Sequence, residues 1–371
     1  MKIGILTHPL EANYGGLLQA YALQESVRRL GYDVEHIDIH IYPAQIGIPK
    51  QTLGFIRRCF AHFILQKNVS IKFRPNLSKK DYETIARNIK PFVRKYIKTS
   101  RCFEGLSSLS QIKESDYDTI IVGSDQVWIP SFCPDYFLSF TKGWNIRRIA
   151  YAASFGHSSW RFTNEVTQYC KELAHDFFAI SLRESTGVEL CEKYLNVNAT
   201  HVLDPTLLLI AEDYKRFVQR SFPREKRVFT YVLDYTKEKQ DIITLVAKSK
   251  HLDVYSPLTT EGLLTHKHIM PSVEEWLTEI CDSDFVVTDS FHGMVFSIIF
   301  NKQFVVIGNK ERGMARFESL LNALGCEERL VTSINTVESL LKLEVDYSFV
   351  NERLNTLRME SMSFLTNSLN G

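Results

Sequence analysis

Short apolar runs alternate along most of the chain with longer stretches whose apolar residues fall three and four positions apart. The first pattern predicts buried strands and the second amphipathic helices. In the first half the predicted strands are Lys2–Thr7, Val34–Ile39, Thr119–Ser124, Arg148–Ser154, Phe178–Arg183 and Thr200–Asp204. Ala20, Leu23, Val27 and Leu30 share one face of a helix predicted over Leu17–Leu30, with Gly31 as its stop. Further helices are predicted near 163–176 and over 185–195. The second half repeats the scheme. Strands Val228–Leu233, Leu252–Tyr255, Phe285–Asp289 and Gln303–Ile307 are predicted among helices at Lys237–Lys250, Phe291–Phe300 and Ala315–Leu324. Ser272 and Glu275 have the spacing of a capping box that opens a helix to about Cys281. A final helix is predicted over about 351–368, placed to pack back on the first half.

Strands alternating with helices imply parallel sheets built of strand–helix–strand units. Two such runs predict an α/β protein of two doubly wound domains facing a cleft, residues 1–215 and 216–371. A stretch at about 45–105 breaks the alternation, reads mostly helical and looks like an insertion in the first domain.

Composition narrows the class. With 371 residues, 44% hydrophobic and 23% charged, the chain is that of a globular protein of about two domains. No apolar run approaches the length of a membrane-spanning helix, and the apolar start is too short for a secretion signal. Seven scattered Cys without a Cys-x-x-Cys argue for reduced thiols in a cytoplasm, against disulfides and against a zinc site. Asp282-Ser283-Asp284 resembles a metal-binding pattern but precedes a strand, so no metal is expected. The net charge of +1 hides fourteen Lys/Arg against two acids over residues 50–101. That basic stretch is either a solvated face or a patch for phosphates, as on an anionic membrane surface; nucleic acid does not suit a protein that is not basic as a whole.

Ligands of open α/β sheets bind beyond the carboxyl ends of the strands. Asn13, Tyr14, Gly15 and Gly16 open the first helix after the first strand, where glycines admit a ligand to backbone N–H groups, and Gln19 adds an amide. No Gly-x-Gly-x-x-Gly fingerprint is present, which argues against a nicotinamide enzyme. Ser124, Asp125, Gln126 and Trp128 follow the third predicted strand. They read as a sugar site with a stacking indole, or as an Asx turn with a core Trp. Arg183 ends an apolar strand, where it either pairs with an internal acid such as Glu184 or grips a carboxylate or phosphate.

The strongest motif is Asp289, Ser290, His292 and Gly293 at a strand-to-helix junction. Ser290 can cap the helix, whose positive end favours an anion beside His292, a candidate proton donor. Asp289, Ser290 and His292 are too close in sequence to assume a hydrolase triad, and no nucleophile elbow is present. Arg312 and Arg316, four apart, would share a helix face as a second anion clamp or as a solvated basic start.

In this order and spacing Asn13–Ala20, Gly123–Trp128, Ser181–Glu184, Leu203–Thr206 and Thr288–Gly293 resemble the polysaccharide pyruvyl transferases. The resemblance covers nearly the whole chain outside the basic insertion. It implies two Rossmann-like domains of the glycosyltransferase-B type and transfer of pyruvate from phosphoenolpyruvate, as co-substrate, to two hydroxyls of a glycan sugar. The product is a cyclic ketal in surface or capsular polysaccharide, and no cofactor is needed. His292 and Asp125 are then the expected catalytic pair. Arg183, Ser290, Asp289, Gly293, Arg312 and Arg316 are expected on the donor, and Asn13, Tyr14, Gly15, Gly16, Gln19, Ser124, Gln126 and Trp128 on the acceptor. Many members have Arg where this chain has Ser290. The expected partners are phosphoenolpyruvate and a glycan or lipid-linked oligosaccharide. The expected place is the cytoplasm, at the inner face of the membrane if residues 50–101 touch it. The alternatives are a nucleotide-sugar glycosyltransferase of the same fold and a non-catalytic glycan-binding relative.

Overall fold

The computed structural model describes residues 1–41, 78–219, 226–258, 268–308 and 313–371. The expectations for Arg312 and for most of the basic insertion fall outside the described residues.

Seven parallel strands form the first sheet in the order β3-β2-β1-β4-β5-β6-β7. They are β1 Lys2–Leu6, β2 Asp33–His40, β3 Thr99–Glu104, β4 Thr119–Val122, β5 Arg147–Ala153, β6 Ala179–Leu182 and β7 Thr200–His201. Five parallel strands form the second sheet, β12-β11-β10-β8-β9. They are β8 Arg227–Tyr231, β9 Asp253–Tyr255, β10 Phe285–Thr288, β11 Gln303–Ile307 and β12 Leu330–Val331. Central strands such as β4 and β10 are buried along their whole length, as parallel strands covered on both faces must be.

The principal helices are α1 Tyr14–Arg29, α2 Lys79–Ile85, α3 Lys90–Tyr96, α4 Asn164–Ala174, α5 Ser185–Leu190 and α6 Ala211–Lys215 in the first half. The second half carries α7 Lys237–Lys250, α8 Val273–Asp282, α9 Phe291–Ile299, α10 Ala315–Leu324, α11 Val337–Leu340 and α12 Tyr347–Asn370. α1 begins three residues earlier than its apolar stripe suggests, because the Asn13 side chain accepts the Gly16 N–H and caps it there. The Ser272–Glu275 capping box forms at both of its hydrogen bonds. The basic stretch is helical at α2 and α3, but its end adds the edge strand β3 to the sheet.

One apolar core runs through both halves. Leu17, Leu18 and Tyr21 of α1 share it with Met294, Val295 and Ile298 of α9 and with Trp276 of α8. Burying side chains of this size stabilises by about 1.5–3 kcal/mol each. α12 carries Val350 and Leu354 in that core, then places Leu365 and Leu369 beside Ile3 and Ile5 of β1. Among the described residues no helix is long and apolar enough to cross a membrane.

Candidate active site

The strand orders place the two crevices. Connections leave in opposite directions from β1 and β4 in the first sheet and from β8 and β10 in the second, and ligands bind where such reversals occur. Beyond these four strand ends lie the loops that carry Asn13–Gly16, Ser124–Trp128, Leu233–Tyr235 and Asp289–Gly293. The loops of the two halves meet. A Cβ placed on Gly15 would lie 2.0 Å from His292 Nδ1, so only glycine lets α1 begin against that imidazole.

In the second half, β10 ends in a tight turn. Thr288 Oγ1 donates to Tyr231 O at 2.7 Å and accepts the Ser290 N–H at 3.0 Å. Gly293 fits over that hydroxyl because a Cβ there would come within 2.3 Å of it. Ser290 caps α9, its Oγ accepting the Gly293 N–H at 3.4 Å. Asp289 is fully buried and its carboxylate is engaged inside its own half. It accepts from Leu233 N at 2.7 Å, Asp234 N at 3.2 Å and Lys239 Nζ at 2.6 Å. Asp289 therefore ties β10 to the start of α7. His292 sits in the first turn of α9 at 7% exposure, and its Nε2 is buried without a hydrogen bond among the described residues.

In the first half a single guanidinium organises three carboxylates. Arg183, 1% exposed in its side chain, contacts Asp125 Oδ1 at 3.1 Å, Glu184 Oε1 at 3.3 Å and Asp204 Oδ2 at 2.9 Å. Of its two readings, internal pairing is the one the structure holds; a guanidinium so committed is not an open anion clamp. Asp204 also accepts from Ser124 Oγ at 2.9 Å and Thr206 Oγ1 at 2.7 Å. Glu184 accepts from Ser154 Oγ at 2.6 Å. His292 Nε2 lies 3.7 Å from Asp204 Oδ2, beyond hydrogen-bond reach. Asp204 thus faces Arg183 on one side and His292, from the other half, on the other.

These partners set the carboxyl groups. Burial opposes the charge on Asp125, but Arg183, then His8, His292 and Arg316, hold it well below the usual carboxylate range. Burial likewise opposes Asp204, where His292, Arg183 and Thr206 outweigh it. Asp125 also adopts φ 80°, a strained backbone for a non-glycine residue, while its Oδ1 accepts the Gln126 N–H at 2.9 Å. Arg316 lies 5.9 Å from the centroid of the Phe291 ring, which also carries Arg183 at 4.8 Å.

Several expected acceptor contacts are packed instead. Trp128 is fully buried, stacks on Phe137 at 4.4 Å and donates from Nε1 to Tyr136 O, so the core reading replaces the sugar-stacking one. Tyr14 is also buried, stacked on Trp276 across the two halves, and donates to Pro271 O at 2.7 Å. Gln19 spends its amide on Thr7 Oγ1 at 2.8 Å and Gly16 O at 3.0 Å, which locks α1 to the end of β1. Asn13 is exposed and Gln126 half-buried, so neither is packed away as Trp128 and Tyr14 are. Glu184 is the internal partner that Arg183 was expected to find, and Asp204 was expected only as part of the Leu203–Thr206 motif; Ser154 and Lys239 were not expected at the site. Asp204 had a visible signal, its place after an apolar run and before Pro205-Thr206, but nothing local to it names its distant donors.

A cavity of about 30 Å³ lies beside Arg183, Asp204 and Phe291, space for water rather than for a substrate. The arrangement offers a buried imidazole at a helix N-terminus, facing a carboxylate cluster across a junction between two halves.

A model of the polysaccharide pyruvyl transferase family matches residues 13–311. No curated protein matches the chain. Among solved structures, the UDP-N-acetylglucosamine 2-epimerase of Neisseria meningitidis bound to UDP-GlcNAc is similar at TM-score 0.51 and 11% identity, over 100% of this chain and 99% of that one. A putative UDP-N-acetylglucosamine 2-epimerase from Listeria monocytogenes is similar at TM-score 0.51 and 11% identity, over 96% and 91%. At such identity these likenesses speak for the fold, which is the two-domain glycosyltransferase-B type.

Proposed function

The chain belongs to the polysaccharide pyruvyl transferase family, and from that premise we propose that it moves pyruvate from phosphoenolpyruvate onto two hydroxyls of a glycan sugar as a cyclic ketal. The observation that carries this reading is His292: buried, with Nε2 outside any hydrogen bond among the described residues, in the first turn of α9 and against Gly15 of the other half. The donor has a carboxylate and a phosphate, so it belongs on the side with His292, the positive end of α9 and Arg316. It does not belong against Arg183, whose charge is already outnumbered by three carboxylates. The contact between His292 and Gly15 means that the halves part to admit it.

The chemistry then runs in two additions. His292 delivers a proton to the methylene carbon of phosphoenolpyruvate, and the adjacent carbon takes the first sugar hydroxyl. The phosphate leaves with the electron pair of its bond to that carbon, and the second hydroxyl closes the ketal. One hydroxyl proton replaces that given by His292 and the other departs with phosphate. Asp125, held strongly acidic by Arg183, orients the hydroxyls as an acceptor, takes the second of these protons once carbon–oxygen bond formation has made it acidic, and gives it up to the departing phosphate. A proton-transfer group of this kind contributes about 10²–10⁴-fold. His292→Ala should therefore lower acceptor-dependent phosphate release from phosphoenolpyruvate by at least about 100-fold. Turnover at the parent rate removes His292 from the reaction. Tight binding of uridine diphosphate with none of phosphoenolpyruvate replaces the reading with glycosyl transfer.

A further inference from the structure

At the outer edge of the seven-stranded sheet, away from the junction of the halves, β2 and β3 gather a second set of reactive side chains. Asp38 and His40 are two apart on β2 and so project from one face. The parallel register sets Asp38 opposite Cys102 and His40 opposite Glu104. A carboxylate oxygen of Asp38, a ring nitrogen of His40 and Cys102 Sγ all lie within 4.8 Å of one another. His40 Nε2 is 3.3 Å from Asp38 Oδ1, while Nδ1 is 3.4 Å from Glu11 Oε1. That Glu11 oxygen is buried and faces the His40 ring. One ring nitrogen thus faces the cluster and the other faces a carboxylate, the arrangement that orients a metal-bound imidazole.

We propose that Asp38, His40 and Cys102 bind a divalent cation of the zinc type, with Glu11 orienting His40. Bonds of roughly 2.0–2.3 Å in a tetrahedral site set ligand atoms roughly 3.3–3.8 Å apart. The His40–Asp38 pair already meets that spacing at 3.3 Å, and the widest separation in the group, within 4.8 Å, has about 1 Å to close. A thiolate with an imidazole and a carboxylate selects zinc or cobalt over magnesium and calcium, which take oxygen ligands. Water completes the shell, since Glu104 is engaged by Lys79 at 2.7 Å. Glu11 lies two residues before Asn13, so the ion fastens the loop that opens α1 to the sheet edge. The proposal does not depend on the transfer reaction.

Metal-stripped full-length protein titrated with cobalt(II) tests it. The expected result is one cobalt per chain, with a thiolate-to-cobalt charge-transfer band that zinc abolishes. Cys102→Ser removes the band, and His40→Ala lowers zinc affinity at least about 10-fold. Glu11→Gln weakens zinc by about 10–100-fold while retaining the band. Cys102 is exposed, so its serine variant keeps the fold, and thermal melts of all three variants confirm that they are folded. Absence of the band overturns the proposal. So does a band that survives Cys102→Ser, because the thiolate then comes from elsewhere, such as the adjacent Cys133 and Cys170.

Discussion

Each sheet ends its central crevice in buried acid, and the two halves neutralise that acid differently. In the second half Asp289 meets one ammonium, Lys239, and two backbone N–H groups, all from its own half. Charge is balanced locally, and the result is a pin between β10 and α7. In the first half Asp125, Glu184 and Asp204 share the single guanidinium of Arg183. That cluster carries an excess of negative charge over Arg183, and besides His8 of its own half it is answered by His292 and Arg316 of the other, with His292 Nε2 3.7 Å from Asp204 Oδ2. A locally balanced pair stabilises one domain, whereas an unbalanced cluster makes its electrostatics depend on how the domains meet. The reacting groups of the proposed transfer lie at the second kind of site.

The sharpest way to break this contrast is to remove the organising cation. Arg183→Met leaves three buried carboxylates without their partner. Loss of one member of a buried ion pair costs about 3–5 kcal/mol, and here three pairs go at once. The expected outcome is a chain that fails to fold or unfolds at much lower urea. Adding Asp204→Asn to Arg183→Met should recover part of the loss, since it removes one of the stranded charges. If Arg183→Met unfolds at the parent urea midpoint, the cluster does not depend on that guanidinium.

The next test separates pin from hub. Asp289→Asn and Asp204→Asn each weaken a buried charge-assisted network, at an expected cost of about 2–4 kcal/mol in chemical denaturation. Their effects on the folded enzyme should diverge. Asp289→Asn strands Lys239 but leaves the face that meets His292 intact, so turnover per folded molecule stays within about twofold of the parent. Asp204→Asn removes the carboxylate that faces both Arg183 and His292, and turnover should drop at least about 10-fold. Equal turnover in the two variants would erase the distinction.

Much of this architecture is legible in the chain, because buried parallel strands leave uninterrupted apolar runs and helices leave apolar stripes. Lys237–Lys250, Gln303–Ile307 and Ala315–Leu324 match residue for residue. β3 is hidden because it is an edge strand in a basic context, and only Phe103 of its six residues is buried. At the site, Ser290 and His292 announce themselves through helix-capping rules. Trp128 and Tyr14 do not reveal their direction, because an aromatic residue after a strand can point to a ligand or into the core, and only packing decides. Asp204 and Arg183 meet through the fold, 21 residues apart, and Ser124 joins Asp204 across 80. The cluster of Asp38, His40 and Cys102 is invisible to motif spacing for the same reason: strand register, not sequence distance, assembles it.

The smallest expected effect probes the junction itself through His201. This residue follows β6 in the sheet order, and its Nε2 lies 3.3 Å from Arg183 O and 3.1 Å from Ser319 Oγ of α10, in the other half. Ser319 Oγ also accepts the Ser185 N–H at 3.2 Å, so the three groups bridge the halves. Burial lowers the His201 pKa below its ordinary value, outweighing the Arg183 carbonyl and Glu184, which act to raise it. The folded protein therefore binds fewer protons here than the unfolded chain. The stabilisation is present above the ordinary histidine value of about 6.5 and declines as pH falls through it. Urea midpoints should drop between pH 7.5 and pH 5.5 for the parent and drop less for His201→Gln, which keeps a donor for the Arg183 carbonyl without titrating. The Asp289–Lys239 pin contains no histidine, so Asp289→Asn should keep the parent's pH slope while starting from lower stability. Parallel slopes in the parent and His201→Gln would move the pH-sensitive contact away from the junction. A flattened slope places it between the halves, beside the carboxylates that Arg183 holds.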